Sequence, residues 1–360
     1  MLDVMLMGIR IIFMLRMLFV LIFLGSGSSL FAQSVDSSVL TNQAFISHLP
    51  HQWPLMEQLS LKVKASPAPH TLVQERSLRI LWVVSNAFQA RKAFPVIDLF
   101  KQRMQALKLD YQLKMVRYNE GTSYRQHIDN FNNGMAFEPD YVISSLTSSV
   151  NRKLIEQVLA KGKSKVIITD LSSPVIGWLH SSPLMYVGLD ERAIARRFAQ
   201  YVDSIYPLDA KIAAVMLPVG YINHARCDAF IDAMHARGRQ MTKIFYSDAT
   251  EMDAYQFVSE MAENNNPAEY IFSCSSALAA GVLRAIKQHN IESTTNSWRY
   301  TSIEQRALDD GRLVVTLERD VKEFSFVIAE TIQSDLTGLD LPNLYIPSSA
   351  LISAVSPLTR

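Results

Sequence analysis

The chain has 360 residues, of which 49% are hydrophobic, and its formal net charge at pH 7 is +1. A chain of this length exceeds what one compact core usually organises, so two lobes are expected. The near-zero charge gives no electrostatic reason to expect nucleic acid as a partner. Neither a P-loop nor a G-x-G-x-x-G motif occurs, so nothing indicates nucleotide binding either.

The first residues have the pattern of a targeting segment. Residues 11–24 are almost entirely apolar, with Arg10 and Arg16 before or within the run, and a small polar stretch follows. This pattern predicts a signal peptide over residues 1–32 that is cleaved after Ala32. An uncleaved anchor is the alternative, but the run is short for a membrane span. We therefore expect export to the periplasm.

Residues 33–75 are the least regular part of the chain, and Pro67 to His70 has the composition of a linker. We interpret this part as an N-terminal arm that wraps on the body. His48 and His51 lack supporting cysteines or carboxylates, so no metal site is predicted there.

Cys227 and Cys274 are the two cysteines of the chain. An oxidising compartment permits a disulfide, and the two residues fall on neighbouring βα units of the same predicted lobe. Two buried free thiols are at least as compatible with the sequence, so the pairing stays open.

From Arg76 onward, predicted strands and helices alternate. Short apolar runs predict strands near residues 80–84, 109–116, 141–143, 166–170, 185–188, 212–217, 241–245, 270–272 and 313–317. Apolar residues at spacings of three and four predict a helix after most of them. This alternation predicts an α/β fold with parallel sheets, and two sheets of about five to six strands fit typical sheet sizes better than one of ten or more.

The stretch 219–230 follows a predicted buried strand and leads into a predicted helix. A strand, a short glycine-containing turn and a helix form the βα unit of an open parallel sheet, which binds ligands at the carboxyl ends of its strands. Arg226 is therefore expected near the mouth of a cleft, although a solvated arginine in a first helical turn fits the same pattern.

Polar and aromatic residues recur at the predicted carboxyl ends of the strands. In chain order they are Ser85 to Gln89, Ser144 to Thr147, Asp170, Arg226, Cys274 to Ser276, Trp298 and Arg319. An apolar stacking face with a few convergent hydrogen-bonding groups is typical of a cleft for a small hydroxylated or anionic ligand.

Several short motifs of the regular part are shared with one known family. They are Tyr186-Val-Gly-Leu-Asp190, Gly220-Tyr221-Ile222, Arg226-x-Asp228-x-Phe230-Ile231, Asn296-x-Trp298 and Gly311-x-Leu313-x-x-Thr316-x-x-Arg319. Through these residues the chain resembles the periplasmic binding proteins of the ribose-binding type (type I). Within that type it is most similar to the LuxP-like receptors of autoinducer-2.

The resemblance implies two Rossmann-like lobes that close around a ligand by hinge motion. The N-terminal lobe is expected to comprise residues 76–184 and 320–344, and the C-terminal lobe residues 185–319 and 345–360.

The resemblance also implies ligand contacts. In LuxP-like receptors two arginines hold the anionic borate diester of autoinducer-2, and they match Arg226 and Arg319 here. Trp298 matches a pocket tryptophan, although a large aromatic residue also fills interiors without any ligand role. Two guanidinium groups that face one pocket repel each other unless an anion or a carboxylate lies between them. Asp170 is expected either to neutralise one arginine in the empty state or to accept two hydroxyls of a sugar-like ligand.

Other positions depart from the LuxP-like pattern. Ser276 stands where those receptors have a threonine. Asp170 stands where they have an asparagine, and at this position the chain is more similar to the sugar-binding relatives. In the first loop Phe88 aligns with a ligand-contacting glutamine, and a shift by one would bring Gln89 to that place. The arginine pair therefore favours an anion, whereas Asp170 and the first loop leave the ligand open.

These features lead to the expectation of a periplasmic small-ligand receptor for autoinducer-2 or a related furanose-like signal. A membrane partner would recognise the closed form: a sensor histidine kinase in the LuxP-like subfamily, or an ABC permease in the wider family. Two alternatives remain, a sugar-binding component of an ABC transporter and a structural sensor subunit whose cleft no longer binds. No catalytic motif such as H-E-x-x-H or G-x-S-x-G is present, so no enzyme activity and no cofactor are predicted.

Overall fold

The computed structural model describes residues 42–85, 96–118, 123–146, 149–218 and 223–353. Its strands are β1 Leu78–Ser85, β2 Tyr111–Tyr118, β3 Tyr141–Ser145, β4 Lys165–Thr169, β5 Met185–Val187, β6 Ile212–Met216, β7 Met241–Tyr246, β8 Tyr270–Ser273, β9 Thr294–Ser297, β10 Leu313–Arg319, β11 Leu344–Tyr345 and β12 Ser349–Ser353. Its α-helices are α1 Asn42–His48, α2 Gln52–Lys64, α3 Val96–Ala106, α4 Tyr124–Met135, α5 Ser149–Lys161, α6 Glu191–Ile205, α7 Ala229–His235, α8 Glu251–Glu263, α9 Ser276–His289, α10 Ser302–Asp309 and α11 Val321–Leu336.

The strands form two six-stranded sheets. The first has the order β11-β5-β4-β3-β1-β2 with parallel pairing throughout, and the second has the order β12-β10-β9-β8-β6-β7. In the second sheet β12 runs antiparallel to β10, and the other pairs are parallel. The predicted α/β fold with two parallel-sheet lobes is therefore confirmed.

Burial on both faces explains why the central strands of the first sheet are rich in apolar residues. Successive residues of β1 alternate between two cores: Trp82 packs with α3 and α11 on one face, whereas Leu81 and Val83 pack on the other. Trp82 meets Phe100 of α3 edge to face, with 5.1 Å between the ring centroids. A parallel sheet covered on both sides in this way favours apolar residues on both faces of its central strands.

The chain passes between the sheets three times within the described residues: after β5, at Asp320 between β10 and α11, and between β11 and β12. The lobe boundaries predicted from the sequence, before Met185 and before Tyr345, are both wrong. Met185 pairs with Ile167 of β4, and Tyr345 pairs with Val187, so both lie in the first sheet. An apolar run predicts a strand, but it carries no information about which sheet the strand joins.

Residues 42–64 are more regular than their composition suggested, because they form α1 and α2. Both helices pack on the first lobe. Phe45 of α1 is buried in one core of that lobe, and Leu59 and Val63 of α2 are buried in the other. Among the described residues no helix is long and apolar enough to cross a membrane.

Cys227 and Cys274 form a disulfide, with 5.5 Å between their Cα atoms, and both side chains are fully buried. The bridge therefore replaces the alternative of two free thiols. Cys227 lies in a π-helical segment, Asn223–Asp228, that precedes α7, and Cys274 directly follows β8. The disulfide thus ties together two segments of the second lobe that both reach the ligand-sized cavity described next.

Candidate functional site

A cavity of about 320 Å³ lies where the carboxyl ends of strands from both sheets meet. Binding at this end of the strands is the rule for open parallel sheets. The described lining residues are Val96, Asp170, Gly188, Leu189, Leu217, Arg226, Ala249, Ser275, Ser276, Ala277, Trp298, Arg299, Arg319, Asp320, Val321, Phe324 and Pro347. Of the seven predicted ligand contacts, five therefore line one cavity: Asp170, Arg226, Ser276, Trp298 and Arg319.

Arg226 is held by a carboxylate that the sequence analysis did not single out. Its Nε donates to Glu191 Oε2 at 2.8 Å, and its Nη2 donates to Glu191 Oε1 at 2.7 Å. The Glu191 side chain is only 4% exposed and the Arg226 side chain 13%, so this bidentate pair is largely removed from water. Such fork-to-fork geometry is the strongest form of the ion pair.

Arg319 reaches the same carboxylate from the other side. Its Nη2 lies 3.7 Å from Glu191 Oε1, and its Nη1 lies 3.7 Å from Asp170 Oδ1. The Nε of Arg319 is buried and has no hydrogen-bond partner within the described part of the chain. Glu191, more closely than Asp170, is therefore the carboxylate between the two guanidinium groups.

The surroundings of Glu191 and Asp170 shift the pKa values of their carboxyl groups in opposite directions. Burial favours a higher pKa for Glu191, but Arg226 and then Arg319 outweigh it, so the pKa of Glu191 lies below its ordinary value. For Asp170, removal from water raises the pKa, Glu191 raises it further, and Arg319 only partly opposes the change. Asp170 also has a φ of +60°, a strained conformation for a residue other than glycine.

Trp298 supports Arg226 more than it offers an open stacking face. The guanidinium carbon of Arg226 lies 4.5 Å from the centre of a Trp298 ring, and Phe198 packs edge to face against the tryptophan. The indole Nε1 donates to the carbonyl of Ser273 at 2.9 Å, and Trp298 is 2% exposed. A buried indole in this place fixes the orientation of the guanidinium through a cation–π contact.

A third arginine of the cavity was also missed. Arg299 follows Trp298, and its Nε donates to Glu304 Oε1 at 2.9 Å. The Glu304 side chain is 3% exposed, so this pair is largely buried too. Asp320, at the start of α11, adds a further carboxyl group to the cavity wall and accepts from the amide of Glu323 at 2.7 Å. Neither Arg299 nor Asp320 lies in a motif that would have indicated its role.

Ser276 lies in the first turn of α9, which begins at the cavity. Ser275 caps this helix, because its hydroxyl accepts from the amide of Leu278 at 3.2 Å. The first amides of a helix have no partner inside the helix and can donate to a ligand. The predicted contact Ser276 therefore lines the cavity from the first turn of a helix.

Phe88 and Gln89, the two predicted contacts of the first loop, lie outside the described residues. Within the described ranges, no three or more His, Cys, Asp or Glu side chains are grouped so that they could hold a metal ion.

Acid is expected to weaken the pair of Arg226 with Glu191. Because the folded pKa of Glu191 lies below the ordinary value of 4.5, the stabilisation is fully present above that pH and is lost as the pH falls below it. Urea unfolding of the wild type and Glu191→Gln from about pH 7 to about pH 3 should give stabilities that converge in acid. Curves that stay parallel would show that ionisation of Glu191 contributes nothing.

Comparison with known proteins gives a consistent result. The model of a family described as periplasmic binding protein domain matches residues 81–338. Among solved structures, GanP, a glucose-galactose binding protein from Geobacillus stearothermophilus, has 16% identity and a TM-score of 0.65, covering 78% of this chain and 98% of its own. A myo-inositol binding protein from Caulobacter, solved with myo-inositol, has 14% identity and a TM-score of 0.63, covering 78% of this chain and 95% of its own.

A solute-binding protein from Agrobacterium vitis, solved with α-D-tagatopyranose, has 14% identity and a TM-score of 0.65, covering 77% of this chain and 95% of its own. At identities this low the likeness concerns the fold alone.

Proposed function

The chain belongs to the family of periplasmic binding protein domains, and we propose that it binds a small, uncharged, hydroxylated molecule of the sugar or polyol class. The observation that carries this proposal is the charge balance of the cavity. Three arginines, Arg226, Arg299 and Arg319, belong to the described lining. Two carboxyl groups of the wall, Asp170 and Asp320, and two that pair with the arginines from outside the lining, Glu191 and Glu304, balance their charge. Among the described residues, each arginine of the site already lies beside a carboxyl group, so this part of the site offers hydrogen bonds without net positive charge.

The shape and chemistry of the cavity agree with such a ligand. Its volume of about 320 Å³ is at the small end of the range for ligand pockets, which runs from about 300 to about 1,000 Å³. Arg319 still has a buried Nε without a partner in the described residues, and the carboxyl group of Asp170 on the cavity wall can accept hydrogen bonds from hydroxyl groups. Phe324 and Val96 give the wall an apolar part. Similar proteins of this fold include one solved with myo-inositol and one solved with α-D-tagatopyranose.

The partner in this proposal is a membrane protein that recognises the closed form, and export to the periplasm is part of the same proposal. A similar structure is that of a ribose ABC transporter protein of Conexibacter woesei, which favours a permease over a sensor kinase. The ligand shifts the equilibrium between open and closed forms only by its higher affinity for the closed form. A binding protein of this kind returns its ligand unchanged.

The proposal is tested by thermal and urea unfolding with a panel of neutral sugars and cyclitols: glucose, galactose, ribose, tagatose and myo-inositol. A ligand at a hundredfold excess over its dissociation constant should raise the free energy of unfolding by about 2.7 kcal/mol. Galacturonate serves as the matched charged control and should stabilise less than galactose. Mass spectrometry of the recovered sugar should show no conversion.

A second candidate is autoinducer-2 as its borate diester, with signalling through a sensor kinase. Arg226 and Arg319 favour it, because both guanidinium groups reach one carboxylate oxygen and so point to a common place. Autoinducer-2 with borate belongs in the same panel. Stabilisation by this compound alone would replace the sugar proposal, and stabilisation by nothing in the panel would favour a structural sensor subunit.

A further inference from the structure

We propose that Glu191 is the specificity-determining residue of this site, because its buried carboxylate occupies the place that a negatively charged ligand group would need between Arg226 and Arg319. This inference rests on the proposed binding function and defines its ligand class. Glu191 acts through the two arginines and forms no part of the cavity lining described above.

The geometry places one atom at the centre of the arrangement. Glu191 Oε1 lies 2.7 Å from Nη2 of Arg226 and 3.7 Å from Nη2 of Arg319. An external carboxylate, phosphate or borate diester that bridged the two arginines would have to replace this oxygen or approach it closely. Like charges at such a distance in a site of low dielectric repel each other strongly.

Glu191 cannot easily leave this place. It is the first residue of α6, and the preceding Asp190 caps that helix by accepting from the amide of Ala193 at 2.9 Å. A negative charge in the first turn of a helix is stabilised by the helix dipole. The side chain is nearly fully buried, and both of its oxygens are bonded to Arg226. The carboxylate is therefore a fixed part of the site.

A rigid internal counterion has two consequences for recognition. It holds the guanidinium groups in place, so that their remaining N–H groups can donate to neutral hydroxyls, and it removes the net attraction for anions. Asp170 and Asp320 on the cavity wall add to the repulsion of a negative ligand. Specificity by an unfavourable interaction with the wrong ligand is a general solution to discrimination.

The test uses Glu191→Gln in the full-length protein and inorganic sulfate as the probe, measured by calorimetric titration at constant ionic strength. Glutamine keeps the size and one acceptor oxygen but removes the charge, so both arginines become available to an anion. Sulfate affinity is expected to rise about ten- to a hundredfold over the wild type, as one additional charge-assisted hydrogen bond would give. Glu191→Asp, which keeps the charge, should show no such gain.

The matched control is Glu330→Gln. Glu330 is also a buried partner of an arginine, Arg103, but the Arg103 side chain is 3% exposed against 13% for Arg226, so sulfate is expected to bind less readily at the guanidinium that this variant leaves without its counterion. If Glu191→Gln is too unstable for titration, the same expectation applies to its melting temperature, which sulfate should raise more than that of Glu330→Gln.

A folded Glu191→Gln variant without gain in sulfate affinity, or an equal gain in Glu330→Gln, would overturn the inference. Such a result would leave the proposed function untouched, because the two statements are tested by different measurements. Sugar binding by the wild type tests the function, whereas the sulfate gain compares the variant with the wild type and needs no sugar.

Discussion

Replacement of Arg226 by alanine is expected to abolish stabilisation by the ligand and to lower the free energy of unfolding by about 3–5 kcal/mol. The larger part of this loss does not come from the missing contacts. It comes from Glu191, which would remain nearly fully buried with its nearest cation, Arg319, at 3.7 Å. Removal of the bidentate partner leaves a buried negative charge whose lost hydration is no longer fully offset by hydrogen bonds and ion pairing. Trp298 would lose its guanidinium neighbour as well.

Urea unfolding with and without the binding sugar measures both effects. Arg284→Ala is a matched control, because Arg284 also pairs with a glutamate, Glu251 at 3.3 Å, and also lies over an aromatic ring, that of Tyr255 at 4.0 Å. Its pair is exposed, with side-chain exposures of 42% and 49%, so its loss is expected to cost at most about 1 kcal/mol and to leave ligand binding intact. Equal losses in the two variants would contradict the assignment of Arg226 to a buried, ligand-holding pair.

The sequence predicted the fold well, because the apolar runs of the buried strands are strong local signals. It missed β9, Thr294–Ser297, for a physical reason. This strand has no apolar side chains, yet it is central in the second sheet and its polar groups bond to its neighbour: Thr295 donates to the carbonyl of Ile271 at 2.7 Å, and Asn296 accepts from the amide of Ser273 at 2.9 Å. Satisfaction of polar groups by a neighbouring strand cannot be read from a local hydrophobicity pattern.

The candidate site was predicted in part for a related reason. Asp170 directly follows β4, Arg319 ends β10, and Arg226 lies in the connection from β6 to α7. The carboxyl ends of parallel strands meet at one edge of a sheet, so the proximity of these residues follows from topology. Glu191 begins a helix after a crossing between the lobes, and the sequence analysis placed that crossing before β5 instead of after it. The internal counterion was therefore not foreseen, and the arginine pair was interpreted as favouring an anion.

The described part of the arm reaches the element that crosses between the lobes. Helix α11 begins at the crossing at Asp320, and its residue Glu330 pairs with Arg103 of α3 at 2.7 Å. Arg103 also donates to the carbonyls of Lys62 at 2.9 Å and Ala65 at 3.2 Å, at the end of α2. One guanidinium therefore connects the arm, α3 and α11, and the arm is expected to stabilise the helix from which the hinge starts.

Replacement of Arg103 by alanine is accordingly expected to destabilise the first lobe by about 3–5 kcal/mol and to release α2 from it. Glu330 would remain with only the distant amine of Lys62, at 4.0 Å. Desolvation already raises the pKa of Glu330 despite Arg103, and loss of Arg103 would raise it further. A carboxyl group with a raised folded pKa costs stability above its ordinary pKa, and the cost disappears as the pH falls, so the loss should be smaller at about pH 5 than at about pH 8.

Hydrogen exchange of residues 42–64, together with urea unfolding at both pH values, checks this prediction. The control is the double variant Arg103→Met with Glu330→Leu, which replaces the buried charges by apolar side chains and is expected to recover most of the stability. It should not recover the protection of α2, because methionine cannot donate to the carbonyls of Lys62 and Ala65. Protection of α2 that returned with global stability would mean that apolar packing of Leu59 and Val63, rather than Arg103, holds the arm to the lobe.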